Sequence, residues 1–343
     1  MRKTHLLPLL LLLLFSFSIS SQDNNDKHAK RKKEPKKKEK KEKKLPENIV
    51  EIPKVFALRP KYVLPSTLLD VTNRDGKGLR FNYAPFITGV VGAGVTIKSV
   101  YVSYSMTLPN TTAMELKYGK TDFYDIGLTI QNRIVGVDLY YQDYTGFYLL
   151  HPEKYYPGWS ASDPNPQKPS LRTINAGMNL TFVTNHNFSP NAAFAQNERQ
   201  KTSFGAFLIS ITERYTRLSN DSSIVPPTDA ANFPSLVKLR LGNYYSSLLS
   251  VGFGYSFVHK KFSVTPVFLA GTGLLGEDNA FDHGSNTQLK VPVYADFKMA
   301  IGYNGNHFYT NLILNAELNS LPIDETRLRI YHGSLEFGVG VRF

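Results

Sequence analysis

The chain has 343 residues, with 40 Lys and Arg against 28 Asp and Glu, 20 Tyr, 22 Phe and no Cys. The absence of Cys excludes structural disulfides, Cys-ligated metals and thiol catalysis. The net charge of +12 does not indicate nucleic-acid binding, because twelve Lys and Arg and three Glu are concentrated between Lys27 and Lys44 rather than spread over a folded surface.

The first twenty residues have the three parts of a secretory signal peptide. Arg2 and Lys3 precede an apolar run from Leu6 to Ile19, and Ser18 and Ser20 supply small residues at the −3 and −1 positions of a cleavage site near Ser20 or Ser21. The apolar run is shorter than the roughly twenty residues that a membrane-spanning helix needs. We therefore expect residues 1–20 to be a signal peptide that directs the chain across the inner membrane.

Residues 21–46 are almost entirely charged and polar, and this composition predicts a disordered Lys-rich periplasmic linker. The segment is either a solvated spacer or an electrostatic tether that binds peptidoglycan or another anionic envelope polymer through Lys27–Lys44. Residues 47–77 are expected to be an N-terminal lead-in segment.

From residue 78 onward, apolar and polar residues alternate, which indicates strands with two different faces. The clearest examples are 100–108, 174–182, 249–257 and 289–303. A soluble sandwich would turn the apolar faces into a core, whereas a transmembrane barrel turns them toward lipid and keeps the small polar residues in its lumen.

The chain end favours the barrel. Glu336, Gly338, Val341 and Phe343 form a pattern similar to the C-terminal assembly signal of bacterial outer-membrane barrels. Together with the signal peptide, it predicts an all-β, transmembrane antiparallel up-and-down β-barrel over residues 78–343, located in the cell outer membrane. Its expected partners are outer-membrane lipids and the barrel assembly machinery.

About 12 strands are expected, with long loops on the outer side and an irregular segment, 184–201, on the periplasmic side. The predicted strands lie near 78–85, 86–97, 98–108, 119–130, 133–143, 172–183, 202–216, 236–258, 262–273, 289–303, 306–318 and 328–343. The alternative is 14 strands, if 236–258 splits in two and 188–196 is also a strand. Ile330 and His332 are out of step with Leu335, which predicts a bulge or a late strand start.

A barrel of this size is expected to have a narrow or plugged lumen. The inward-facing charges are predicted to form either a balanced network or a solute pathway. The candidates are Asp125, Asp138, Lys238, Arg240, Asp296, Lys298, Glu317, Glu336 and Arg342.

Motifs of hydrolases, zinc enzymes and phosphate-binding loops are absent from the sequence, so neither an enzyme nor a cofactor is expected. The expected function is a narrow channel or an envelope scaffold with a basic periplasmic tether. The alternative is an outer-membrane lipid- or polysaccharide-modifying enzyme at the outer rim, where His151, His283 and His332 are expected.

Several stretches together resemble a bacterial outer-membrane family, domain of unknown function 4421, over roughly residues 55–343. They are Phe81–Pro85, Gly92–Gly94, Asp143–Tyr148, Asn187–Ser189, Glu198–Gly205 and Asp221–Pro226. The resemblance implies a secreted barrel of gram-negative bacteria. It also marks Asp143–Tyr148 and Glu198–Ser203 as regions of interest, the second as a turn or small plug on the periplasmic side.

Overall fold

The computed structural model describes residues 46–52, 56–73, 78–281, 285–323 and 326–343. The predicted signal peptide and nearly all of the predicted basic linker lie outside the described residues. The strands are β1 Ile49–Glu51, β2 Phe56–Asn73, β3 Arg80–Ala84, β4 Val90–Ile97, β5 Val100–Thr107, β6 Asp122–Gln131, β7 Val135–Leu149, β8 Gln167–Val183, β9 Glu198–Gln200, β10 Phe204–Ser219, β11 Leu239–His259, β12 Phe262–Phe281, β13 Ser285–Lys290, β14 Val293–Asn304, β15 Phe308–Ile323 and β16 Thr326–Arg342. The α-helices are α1 Thr112–Tyr118 and α2 Pro234–Lys238.

Within the described residues, twelve antiparallel strands close into one ring. The order around the ring is β2, β4, β5, β6, β7, β8, β10, β11, β12, β14, β15 and β16, and β16 pairs with β2 to complete it. The expected all-β barrel and its count of twelve strands are therefore confirmed.

The first strand of the ring is not the predicted one. The ring begins with β2, which lies in the expected lead-in segment, so the barrel starts at Phe56 and not at residue 78. The alternation of this strand is not evident in the sequence, because the strand contains two prolines and because two of its inward-facing residues, Arg59 and Lys61, are basic. The segment predicted as a strand near 78–85 contains only the short β3, which joins β2 to β7 above the outer ends of β4, β5 and β6.

Three further expectations change in detail. The segment 236–258 does not split, because β11 runs unbroken for 21 residues after α2. The segment 188–196 is not a strand, because it contains a π-helix at Asn191–Ala195. Neither a bulge nor a late strand start occurs near Ile330, because β16 begins at Thr326 and pairs in continuous register on both sides.

The outward faces form an apolar belt. Its lower edge is a girdle of Phe rings, at least 41% exposed, at Phe56, Phe257, Phe262, Phe308 and Phe343. Above it the exposed side chains include Leu58, Ile209, Leu249, Val251, Phe253, Phe268, Ile301, Leu335 and Phe337. Such a belt matches the outer surface of a barrel embedded in a bilayer. None of the helices in the described part of the chain is long and apolar enough to cross a membrane.

The two ends of the barrel differ in their connections. Phe343 N donates to Phe56 O, so both termini of the ring lie at one end. The described connections at that end are tight turns at 98–99, 132–134, 260–261 and 305–307, together with the long segment 184–203. Because chain ends and short turns of such barrels face the periplasm, we assign this end to the periplasmic side.

The predicted assembly signal lies on the closing seam between β16 and β2. Glu336 points inward and accepts a hydrogen bond from Arg59, and its second oxygen lies 3.1 Å from Lys61 Nζ. Gly338 is also inward, and a Cβ there would collide with Arg59 Nε and Asn311 Oδ1. Val341 and Phe343 face outward in the belt. The structure thus gives these residues a place in ring closure, and their role as an assembly signal stays a prediction.

We expect Gly338→Ala to destabilise the barrel by about 1–3 kcal/mol, because the new methyl group displaces the Arg59 guanidinium from Glu336. The measurement is urea unfolding of the refolded barrel, followed by the gel-mobility difference between the folded and unfolded forms. Gly333→Ala on the same strand is the matched control, since its Cβ would make only ordinary contacts. Equal unfolding midpoints for the two variants would contradict this account.

Candidate functional site

The lumen is filled at three levels. A plug occupies the periplasmic mouth, a layer of ion pairs crosses the middle, and an apolar cap closes the outer end. Each level is built from inward-facing strand residues and from the connections that fold onto them. Together they decide what can pass through the barrel.

The plug is the segment 184–203, which connects β8 to β10 and folds into the mouth. Phe188 and Gln196 are completely buried there. Phe188 belongs to an apolar cluster with inward side chains such as Val183, Leu208 and Val267. The predicted turn or small plug near Glu198–Ser203 is therefore present, and it is larger than expected.

Polar side chains of the strand ends hold the plug in place. Arg342 donates to the carbonyls of Gly305 and Gln196 and, at 2.8 Å, to Asn304 Oδ1. Asn304 Nδ2 in turn donates to Glu198 O at 2.7 Å. Arg342 thus has the expected inward position, but it serves as an anchor of the plug.

The plug is also joined to the segment that precedes the barrel. β1 pairs with β9, with Val50 opposite Arg199. Asn48 Nδ2 donates to Asn187 O at 2.8 Å, and Lys201 N donates to Asn48 O at 2.7 Å. The chain therefore enters the barrel along the underside of the plug.

The middle layer contains a bidentate ion pair between Arg214 and Glu317. The two guanidinium–carboxylate distances are 2.5 and 2.8 Å, and Arg214 Nε also donates to Tyr140 OH at 2.8 Å. The Arg214 side chain is only 2% exposed. Such a geometry offsets the cost of removing both charges from water.

A second group of charges completes this layer. Lys298 Nζ lies 3.6 Å from Asp296 and interacts electrostatically with Asp138, which accepts a hydrogen bond from Thr129 at 2.7 Å. Asp125 interacts in the same way with Lys61 below it. Each of these carboxylates has a cationic neighbour, as a charge-balanced network requires.

His332 belongs to this interior and not to the outer rim where the sequence placed it. Its Nε2 lies 3.0 Å from Asn175 Nδ2, and its ring centroid is 6.3 Å from that of Tyr144. The error arose because β16 extends outward to Thr326, so that residue 332 falls at mid-height. His151 is exposed on an outer loop beside Glu153, and His283 lies outside the described residues.

The outer cap is an apolar cluster at the opposite end of the lumen. It joins inward residues of the outer strand ends to two loops, 150–166 and 220–238. Its completely buried members include Leu69, Val71, Phe81, Leu149, Leu171, Phe233, Leu236, Tyr244, Leu275, Leu328 and Ile330. Each contributes about 1.5–3 kcal/mol by burial, so the cap is a stable closure.

Hydrogen bonds tie the loops to the strands below them. Tyr83 OH donates to Ile224 O at 2.9 Å, and Asn73 Nδ2 donates to Asn232 O at 2.7 Å. In the loop 150–166, Tyr155 donates to Arg80 O, and burial raises the pKa of its hydroxyl. On the exposed side, the hydrogen bond from Ser170 lowers the pKa of Asp221.

Two predicted lumen charges lie elsewhere. Lys238 is exposed at the end of α2 in the outer loop, because the strand begins only after it. Arg240 sits at a register shift at the outer end of β11 and donates to Val237 O at 3.0 Å. Neither reaches the middle layer.

Three central residues were missed by the sequence analysis. Arg59 and Lys61 lie in the segment taken as a lead-in. Arg214 lies in a predicted strand, and the inward run of small and polar residues at Ser210, Thr212 and Thr216 was the signal that could have found it.

Within the described residues, no group of His, Asp and Glu is arranged to hold a metal ion. The charges of the middle layer bind one another.

Comparison with known proteins gives one family match. The model of the family described as Domain of unknown function (DUF4421) matches residues 49–343. No curated protein matches the chain.

Solved structures give distant likenesses. Ail, the attachment invasion locus protein of Yersinia pestis, is 14% identical over 61% of this chain and 97% of its own, with a TM-score of 0.25. The toluene transporter TodX of P. putida is 9% identical over 85% and 91%, with a TM-score of 0.29. A loop-deletion mutant of OmpT, an outer membrane protein of Vibrio cholerae, is 8% identical over 82% and 99%, with a TM-score of 0.27. At these scores the fold rests on the strand pairing, and the likenesses carry no argument about function.

We expect Glu317→Gln to lower the free energy of unfolding by about 3–5 kcal/mol, because it leaves the buried Arg214 guanidinium without a charged partner. Asp122→Asn, which breaks the exposed pair with Lys120, should change it by at most about 1 kcal/mol. Urea unfolding in detergent micelles measures both. A loss below about 1 kcal/mol for Glu317→Gln would contradict the assigned role.

Proposed function

The chain belongs to the family described as Domain of unknown function (DUF4421), and we propose that it is an outer-membrane barrel with a closed lumen that acts as an envelope scaffold. Its expected place is the cell outer membrane, with lipids around the apolar belt. Between the two versions of the sequence-based hypothesis, the scaffold is favoured over the narrow channel.

One observation carries this proposal: the lumen is closed by different chemistry at its two ends. The plug fills the periplasmic mouth through buried polar contacts with the strand ends. The outer cap fills the other end with apolar side chains. A solute would have to displace both, and the middle layer offers it charges that are already paired.

The scaffold needs a partner, and the basic segment Lys27–Lys44 supplies the means to bind one. It precedes β1, which is fixed to the plug at the periplasmic end. A segment with nine net positive charges is suited to an anionic envelope polymer such as peptidoglycan. In this proposal the barrel anchors the tether in the membrane.

The proposal assigns no catalysis to the chain. The rim-enzyme alternative needs a histidine with partners at the outer surface. His332 lies in the interior, and His151 contacts Glu153 on an exposed loop. Unchanged envelope lipid profiles after single substitution of His151 and His283 would support this assignment.

We expect the wild-type protein to give no unitary currents in planar bilayers, because both ends of its lumen are closed. Flotation with lipid vesicles verifies that the protein has inserted. The positive control is a variant in which residues 187–201 and 222–236 are both replaced by short Gly-Ser linkers; it should conduct. Reproducible unitary steps from the wild-type barrel would contradict the scaffold and support the channel.

We expect deletion of residues 23–44 to reduce association with isolated peptidoglycan sacculi at least about tenfold, because the tether is electrostatic. For the same reason, wild-type association should fall as salt rises from about 0.05 to about 0.5 M. Co-sedimentation of the purified full-length protein with sacculi measures both effects. A variant with the same tail residues in scrambled order should bind normally. Unchanged binding after deletion of the tail would contradict the tether hypothesis.

A further inference from the structure

We propose that the periplasmic mouth carries a second anion site, a pocket between the plug and the β11–β12 turn that binds a carboxylate group of the cell-wall peptide stems. The identity of the polymer rests on the proposed function. The chemistry of the site rests on the pocket itself.

The pocket lies where β9 approaches the turn at 260–261, and its volume of ≈ 10 Å³ gives room for a group about the size of one water molecule, such as a carboxylate oxygen. Its walls are Ala192, Ala193, Arg199, Gln200, Ser256, Val258, Lys261, Phe262, Ser263 and Asn304. These ten residues include two cations and no carboxylate. A ligand entering this pocket therefore meets uncompensated positive charge.

Arg199 is held in position by two contacts. Its backbone pairs with Val50 of β1, and one terminal nitrogen donates to Asn306 Oδ1 at 2.6 Å. A guanidinium carries five N–H groups, so this bond leaves donors for a planar, bidentate carboxylate. The group is therefore oriented before any ligand arrives.

Lys261 is held by the backbone on the other side of the pocket. Its carbonyl accepts a hydrogen bond from Asn304 N at 2.8 Å, and its side chain is exposed. Asn304 also binds the plug through Glu198 O. Arg199 thus lies on β9 of the plug and Lys261 on the β11–β12 turn, and Asn304 forms a hydrogen bond with each of these two elements.

The tight turns at this end place lysine where the backbone favours glycine. Lys260 has φ +58° and Lys98 has φ +54°, both in the left-handed region. A glycine would relax both turns, so each lysine adds charge at a conformational cost. The two lysines strengthen the positive electrostatic potential around the periplasmic mouth.

The other charges of this face leave the potential positive. Lys98, Lys201, Lys260 and Lys261 are exposed, and so are Glu47 and Glu51. Glu198 is buried. It accepts a hydrogen bond from Ser189 Oγ at 2.7 Å and forms an ion pair with Arg133 at 3.5 Å. Within the described residues of this face, cations therefore outnumber free carboxylates.

The position of the pocket selects the source of the anion. Ser256 and Asn304 are inward-facing and nearly completely buried, so these walls of the pocket lie on the lumen side of the barrel. Peptide stems of the cell wall carry carboxylates and lie in the periplasm that the mouth faces.

The test uses the full-length protein in lipid nanodiscs and a soluble disaccharide–tetrapeptide as the probe. We expect the double variant Arg199→Gln, Lys261→Gln to bind it at least about tenfold more weakly. Lys154→Gln, which removes an exposed charge from an outer loop, should change binding by less than about twofold. The same probe with its carboxylates amidated should not bind the wild-type protein.

Lys261→Gln alone guards against a folding artefact, because it changes an exposed side chain and leaves the Arg199 anchor intact. It should also weaken binding, with an unchanged unfolding midpoint. Deletion of the tail should leave the affinity for the soluble probe within about twofold of wild type. The pocket hypothesis and the tether hypothesis are therefore tested independently of each other. Double-variant binding equal to wild type, or stronger competition by inorganic phosphate than by acetate, would overturn the carboxylate site.

Discussion

The structure depends on the pairing of its last strand with its first. In a bilayer every backbone N–H and C=O must find a partner within the protein, and an open sheet edge leaves a full row of them exposed to lipid. Residues at the two ends of β2 and β16 meet in register, from Asn73 opposite Thr326 to Ala57 opposite Arg342. The charges on this seam, Arg59, Lys61 and Glu336, are turned inward, where they bind one another instead of meeting lipid.

The inward face of the barrel changes character along its length, and this change organises the lumen. Near the periplasm it presents polar groups to the plug; at mid-height it presents ion pairs; and at the outer end it becomes apolar. Leu328 and Ile330 illustrate the switch, because they share the inward face of β16 with Glu336 but are buried in the cap. A single barrel is thus closed by polar contacts at its periplasmic end and by apolar packing at its outer end.

Much of the fold could be predicted from the sequence because alternation is a local property of a strand. Val100–Thr107 was found in this way, and so were residues 262–273 of the longer strand Phe262–Phe281. The first strand was missed because its compensating charge lies on the last strand, nearly 280 residues away, and no local pattern contains that information. The inward position of Arg214 could be read from its own strand, but its pairing with Glu317 could not, because Glu317 lies on a distant strand. Arg199 and Lys261 come together only because the plug folds back into the mouth.

The plug has a consequence for biogenesis. Three of its anchors, Arg342, Asn304 and Thr310, come from the last three strands, although the plug itself lies in the middle of the chain. Others come from the earlier part of the barrel, because Arg59 donates to Phe194 O and Asn191 Nδ2 donates to Gln131 O. An intermediate with only the earlier strands can therefore hold the plug in part, and the full set of anchors forms only when the C-terminal hairpins complete the ring.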